Sequence, residues 1–216
     1  MPETKSIQLG ENMTIRKIQQ EDLDEVAELS YTCFGPDMSL TRANLASQIE
    51  IFPEGQVCLQ YEGKIVGSAC SLIVDFDDYG EEHSYTMISD DGYIRNHNPN
   101  GSNLYGIEVG VHPEFRKMKI GKYLYQARRE ICKNLGLKSI IIGGRIPNYY
   151  KYAARLTPEE YVEEVKKENI YDSVLTFQLK NGFKLRKVMR GYLMGDKESL
   201  TNATLMEWHN PDYREE

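Results

Sequence analysis

LYGIEVGVHPEFRKMKIGKYLYQARR, from Leu104 to Arg129, is the stretch that decides how this chain is read. Leu104 to Val111 is an apolar run of strand length, and Pro113 ends it. From Ile120 the spacing of Leu124, Ala127, Ile131 and Leu135 predicts one face of a helix, closed by Gly136. From Arg116 to Arg129 the chain reads RKMKIGKYLYQARR, a cationic island that spans the loop and the start of the helix. The first turn of a helix has unpaired N–H groups at the positive end of its dipole, which suits phosphate. A solvated helix start would carry the same residues, so the island alone leaves an anion site and a plain surface equally open.

Working outward, the hydrophobic period alternates between helical and strand-like. Thr14 to Ile18 reads as a short strand. Leu23, Val26, Ala27 and Ser30 then recur at helical spacing up to Gly35. A second helix is expected from a cap at Ser39, with Leu40, Leu45 and Ile49 inward and Pro53 beyond its end. Val57 to Tyr61, the turn Glu62-Gly63 and Ile65 to Val74 form a predicted hairpin. After the central strand and helix, KSIIIGG (138–144) is a buried strand. Thr157-Pro158-Glu159-Glu160 is a capping box with proline at the first helical position. A helix from about Ser173 to Lys180 should be capped by Asp172, and Phe183 to Val188 and Ala203 to Trp208 close the chain as strands. This order predicts an α/β fold: a mixed central sheet of about six to seven strands with helices on both faces.

With 216 residues, no repeat and no linker, the sequence reads as one domain over 1–216. Two polar segments, near 75–103 and 145–170, lengthen it. The four cysteines (Cys33, Cys58, Cys70 and Cys132) are scattered without a C-x-x-C pair, so no metal site is expected. The net charge of −7 argues against nucleic acid as a partner, because phosphate neutralisation dominates that affinity. The N-terminus has no apolar run of signal-peptide type and no stretch has membrane-spanning length, so a soluble, cytoplasmic protein is expected, with no membrane partner.

V-x-P-x-x-R-x-x-x-x-G, from Val111 to Gly121, resembles the acetyl-CoA signature of the GNAT acetyltransferases, R/Q-x-x-G-x-G/A, here on Arg116, Lys119 and Gly121. Lys119 departs from the pattern at its first glycine. DSVLTFQLKNGFKL (172–185) is similar to the family's late helix, with Phe177 where a tyrosine is usual. YGIEVGVHPEF, GGRIPNYYKY and the tail around Glu207, Trp208, Asn210 and Pro211 look closer to acetyltransferase domains joined to nitrilase-type carbon–nitrogen hydrolases.

The resemblance implies a GNAT fold and an acetyl-CoA-dependent N-acetyltransferase acting on a small-molecule amine by direct attack in a ternary complex. Val109, Gly110, Val111, Arg116, Lys117, Met118, Lys119, Ile120, Gly121 and Lys122 are then the acetyl-CoA contacts. Gly110 fits either a bulge with close ligand approach or simple packing. Glu108 is the candidate base, with an exposed or salt-bridged strand carboxylate as the plain reading of the same residue. Phe177 cannot donate a proton, so Tyr149, Tyr150 and Tyr152 come under consideration, Tyr150 being named for the acid. His83, Tyr85, Arg95, His97, Arg145 and Asn148 are expected around the acceptor. A non-catalytic acyl-CoA sensor, or an accessory module for a carbon–nitrogen hydrolase, is the competing function, and a homodimer is an open possibility.

Overall fold

The computed structural model describes residues 6–10 and 12–214; the extreme ends of the 1–216 span and residue 11 lie outside the described residues. Among the described residues eight strands form one sheet in the order β1-β2-β3-β4-β5-β6-β8-β7. They are β1 Ile7–Gly10, β2 Met13–Lys17, β3 Val57–Tyr61, β4 Lys64–Val74, β5 Asn103–Val111, β6 Ser139–Arg145, β7 Lys184–Met189 and β8 Ala203–His209. The six helices are α1 Leu23–Phe34, α2 Arg42–Ile51, α3 Tyr85–Ser89, α4 Ile120–Asn134, α5 Pro158–Lys166 and α6 Leu175–Lys180. The count exceeds the expected six to seven strands because β1 adds an edge strand that hydrophobic pattern did not reveal. Among the described residues no helix is long and apolar enough to cross a membrane.

The pleat explains why helices cover both faces. Ile65 and Val66 are neighbours on β4, so their side chains point to opposite faces. Ile65 packs in the cluster of Leu23, Val26 and Leu29 from α1. Val66 packs with Ile120 and Leu124 from α4. The β3–β4 hairpin turns at Glu62 and Gly63, both at positive φ (51° and 80°), the conformation that favours glycine and matches the strand twist.

Local signals placed most helix ends. Gly35 stops α1 at φ 75°. Thr157 Oγ1 accepts from the Glu160 N–H in the α5 capping box. Asp172 Oδ1 accepts from the Val174 and Leu175 N–H groups at the start of α6. Two details differ. The cap of α2 is Thr41, not Ser39, because Asn44 closes a reciprocal box with Thr41. Leu135 is exposed rather than inward, because α4 ends at Asn134 and the chain turns at Gly136.

The sheet comes apart in its middle, and that break makes the site. β5 pairs antiparallel with β4 along its whole length. It pairs parallel with β6 only from Asn103 to Gly106. At Ile107 an extra residue bulges between the Ser71–Gly106 and Cys70–Glu108 pairs, and bulges bend the strand that carries them. Beyond it β5 follows β4, while Gly143 to Arg145 of β6 follow β8, and a cleft opens between them.

Candidate active site

Strand alternation sets the backbone of the β5 wall. The His112 N–H donates to the Val66 carbonyl, making that a hydrogen-bonded pair. Two residues back, Gly110 opposite Ser68 is of the same kind, and Val111 and Val109 are not. The N–H and C=O groups of Val109 and Val111 therefore face the side that β6 has vacated. The bulge expected as one option at Gly110 sits at Ile107 instead. A Cβ at Gly110 would meet nothing closer than Cys33 Sγ at 3.4 Å.

Arg128 holds the bulge open. Its Nη2 donates to the Cys70 carbonyl (2.9 Å) and the Glu108 carbonyl (2.8 Å), and its Nε to Ser71 Oγ (3.0 Å). The carbonyls that the bulge would leave unpaired thus receive a charged donor. Arg128 is buried, so it is structural and does not belong to a solvent-facing cationic island. Arg129, half-buried, lies over Trp208 and bonds the Asn181 carbonyl.

The rest of the island remains available to an anion. Pro113 to Met118 form a 3-10 turn, Lys119 caps α4, and Arg116, Lys117, Lys119 and Lys122 are all exposed. None of these four cations has an ion-pair partner among the described residues. Met118 and Gly121 are half-buried and Ile120 is buried in the core under the helix start. Lys119 is left-handed at φ 62°, ψ 16°, the region where glycine costs least. The departure from the glycine pattern therefore keeps the loop shape at some backbone cost. Gly121 lies under Phe177, where a Cβ would stand 3.2 Å from the ring.

The cleft, about 140 Å³, lies between β5 and β6. Glu108 and Val109 line one wall, Gly143, Gly144 and Arg145 the other. Tyr125 and Arg128 come from α4 and Gln178 from α6. Phe34 and Met38, Tyr85, and Tyr192 with Leu193 bring three distant segments over it. Two glycines make this possible. A Cβ at Gly143 would lie 2.2 Å from the Tyr192 ring, and one at Gly144 2.2 Å from Gln178 Oε1.

Glu108 occupies the floor with 9% exposure. Its Oε2 accepts from Ser30 Oγ at 2.8 Å, and Ser30 Oγ accepts from the Leu40 N–H. Its Oε1 is buried without a protein partner. Burial pushes the carboxyl up to about 7, against the opposing pull of Ser30 and Arg128. Such a group changes protonation near neutral pH, as a proton acceptor needs to. It is buried rather than exposed, and among the described residues it makes no salt bridge.

The expected tyrosines fall elsewhere. Tyr150 is half-exposed beside Lys151 and does not line the cleft. Tyr149 and Tyr152 pack against Tyr161, each with ring centres 5.4 Å apart. The reason is topological: β6 pairs with β8 to its end at Arg145, and residues 146–152 then continue away from the cleft. The tyrosine of α4 that lines the cleft is Tyr125, whose ring stands edge-on to Phe177 at 4.9 Å. Its position four residues after Gly121 puts it on the same face of α4, a spacing legible in sequence. Tyr192, Leu193, Phe34 and Met38 carried no such local mark.

Of the polar residues expected around the acceptor, Tyr85 and Arg145 reach the cleft. His83 lies behind it, bonded to Tyr105 Oη at 2.8 Å. His97 stacks on Phe52, Arg95 pairs with Asp90, and Asn148 donates to the Tyr171 carbonyl.

Comparison with known proteins agrees with this geometry. The model of the Acetyltransferase (GNAT) family matches residues 23–154. "Probable hydrolase YhcX" of Bacillus subtilis is 53% identical over 93% of this chain, but the chain spans only 39% of that protein. "Uncharacterized N-acetyltransferase YkwB" of the same organism is 38% identical over 94% of this chain and 92% of its own. Among solved structures, the GphF GNAT-like decarboxylase in complex with isobutyryl-CoA superposes with a TM-score of 0.81. It is 22% identical, over 91% of this chain and 98% of that one. The family match and the full-length relative together place the chain in the GNAT acetyltransferase family, whose acyl donor is acetyl-CoA.

Proposed function

We propose that this chain transfers the acetyl group of acetyl-CoA to the amine of a small molecule by direct attack in a ternary complex. The observation that carries the reading is Glu108: a buried carboxylate at the cleft floor, with one oxygen unpartnered, one residue from the free backbone of Val109. Arg116, Lys117, Lys119 and Lys122, with the first N–H groups of α4, would hold the phosphates of the donor. The backbone of Val109 and Val111 would carry its pantetheine arm and thioester. Glu108 would take the proton of the attacking amine, directly or through water, and the thiolate would leave towards Tyr125 and Phe177.

The similarity to 39% of a longer protein named as a probable hydrolase favours a domain that works beside a hydrolase, which we read as one of the carbon–nitrogen type.

Two measurements test the proposal in sequence. Saturation at a hundred times the dissociation constant adds ~2.7 kcal/mol, a rise of roughly 5–10 °C in Tm for a chain of this size. Acetyl-CoA should produce it, and a panel of small amines should then release CoA. A shift without release from any amine would leave a non-catalytic acyl-CoA sensor. No shift would remove the donor site.

A further inference from the structure

The cleft chooses between kinds of amine, and its walls are chemically uneven. Tyr85 and Tyr192 look polar in sequence, but neither presents a free hydroxyl. Tyr192 Oη bonds Tyr105 Oη at 2.9 Å, and its ring covers Gly143. Tyr85 Oη lies over Gly92, where a Cβ would stand 3.4 Å away, and beside Ser89. Both therefore offer ring surface, set edge to face with centres 6.3 Å apart. Phe34, Met38 and Leu193 complete an apolar enclosure.

The charge balance excludes a second class. Arg145 is the cation of this half of the cleft. Its Nε and Nη2 meet the two carboxylate oxygens of Asp196 at 2.7 and 2.6 Å, and Nη2 also meets Glu198 at 2.9 Å. Asp196 is fully buried, so this pair is not loosened by water. An incoming carboxylate would meet an arginine whose charge is already outweighed by the carboxylates of Asp196 and Glu198, and the Glu108 carboxylate below it.

Resting on the acetyltransferase reading above, we propose that the acceptor is a primary amine on a flat or branched apolar stem, without a carboxylate beside the amine. The amine approaches Glu108, and the stem lies between the Tyr85 and Tyr192 rings and Leu193. Amino acids and peptide N-termini carrying acidic groups are rejected by desolvation of an unpaired charge, and polyamines by burial of a second ammonium against the apolar walls of Tyr85, Tyr192 and Leu193.

The test is a matched panel read by CoA release from acetyl-CoA with the intact chain: phenethylamine and isoamylamine, then phenylalanine and leucine, which add a carboxylate to the same stems, then spermidine. The first pair should exceed the second by about a hundredfold in kcat/KM, the size expected when a buried charge is left unpaired. Spermidine should fall with the amino acids. Equal turnover of phenylalanine and phenethylamine, or spermidine as the preferred acceptor, would overturn the substrate class while leaving acetyl transfer standing. CoA release from none of the five or from any wider set of amines, with acetyl-CoA still bound, would overturn the transferase reading itself and this class with it.

Discussion

Gly106 and Arg128 occupy one space: a Cβ on Gly106 would stand 2.5 Å from Arg128 Nη1 and 2.7 Å from its Cζ. The guanidinium needs that space to reach the carbonyls of Cys70 on β4 and Glu108 on β5 beside the bulge. A missing side chain on β5 and a buried cation on α4 together keep the strand bent away from β6. Gly106→Ala should therefore cost about 2 kcal/mol or more. Arg128→Met should cost about 3 kcal/mol by orphaning buried carbonyls. Urea unfolding of the two variants and their double would check this. Costs well below additive in the double would support a shared role, and full additivity would count against it.

Glu108→Gln separates binding from chemistry. Turnover should fall about 10²- to 10⁴-fold while the Tm rise given by acetyl-CoA persists. The wild-type rate should climb with pH through about 7 and level off, and the variant should lose that limb. Unchanged turnover in a folded variant would end the role of Glu108 as base.

The same carboxyl makes a stability prediction with a definite sign. Its folded pKa, about 7, lies above its ordinary 4.5, so the protonated form is favoured by folding. Its contribution to stability is complete below pH 4.5 and is lost as pH rises through 7. Glu108→Gln should accordingly be more stable than wild type at pH 8, with the difference shrinking towards pH 5. Thermal unfolding at the two pH values reads it directly.

Lys119 sits at φ 62° where the family pattern has glycine. Lys119→Gly should relieve the left-handed backbone and raise stability by up to about 1 kcal/mol. It also removes one of four exposed cations, so acetyl-CoA affinity should weaken slightly and its dependence on salt should flatten. Arg116→Ala should weaken affinity without the gain in stability. Calorimetric titration at two salt concentrations distinguishes them.

Asp172 ties three segments together. Oδ1 caps α6, and Oδ2 accepts from the Asn148 N–H and from Tyr161 Oη at 2.7 Å. Asp172→Ala should cost about 3 kcal/mol, more than an ordinary cap, because the Tyr161 hydroxyl is left buried without its acceptor. Chemical denaturation measures it; a loss under 1 kcal/mol would reduce Asp172 to a simple cap.

Sequence by itself determined what depends on neighbours along the chain. Alternation on Val57–Tyr61 and Ile65–Val74, helical spacing after Ile120 and the box at Thr157 each follow from backbone geometry over a few residues. They fixed the elements and their order, and through them the fold. The cations around α4 and the carboxylate of Glu108 were legible because strand, loop and helix are contiguous there. Tertiary structure alone decided the cleft. Arg128 reads as one more charge in a basic run, and only the bulge at Ile107, created by pairing with β4, turns it into a buried brace. Tyr150 follows β6 closely in sequence, yet the chain leaves the cleft before reaching it. Tyr192, 42 residues further on, comes back to lie on Gly143. Those placements depend on which strands separate and what returns to fill the gap, and no local pattern encodes a contact between residues that distant.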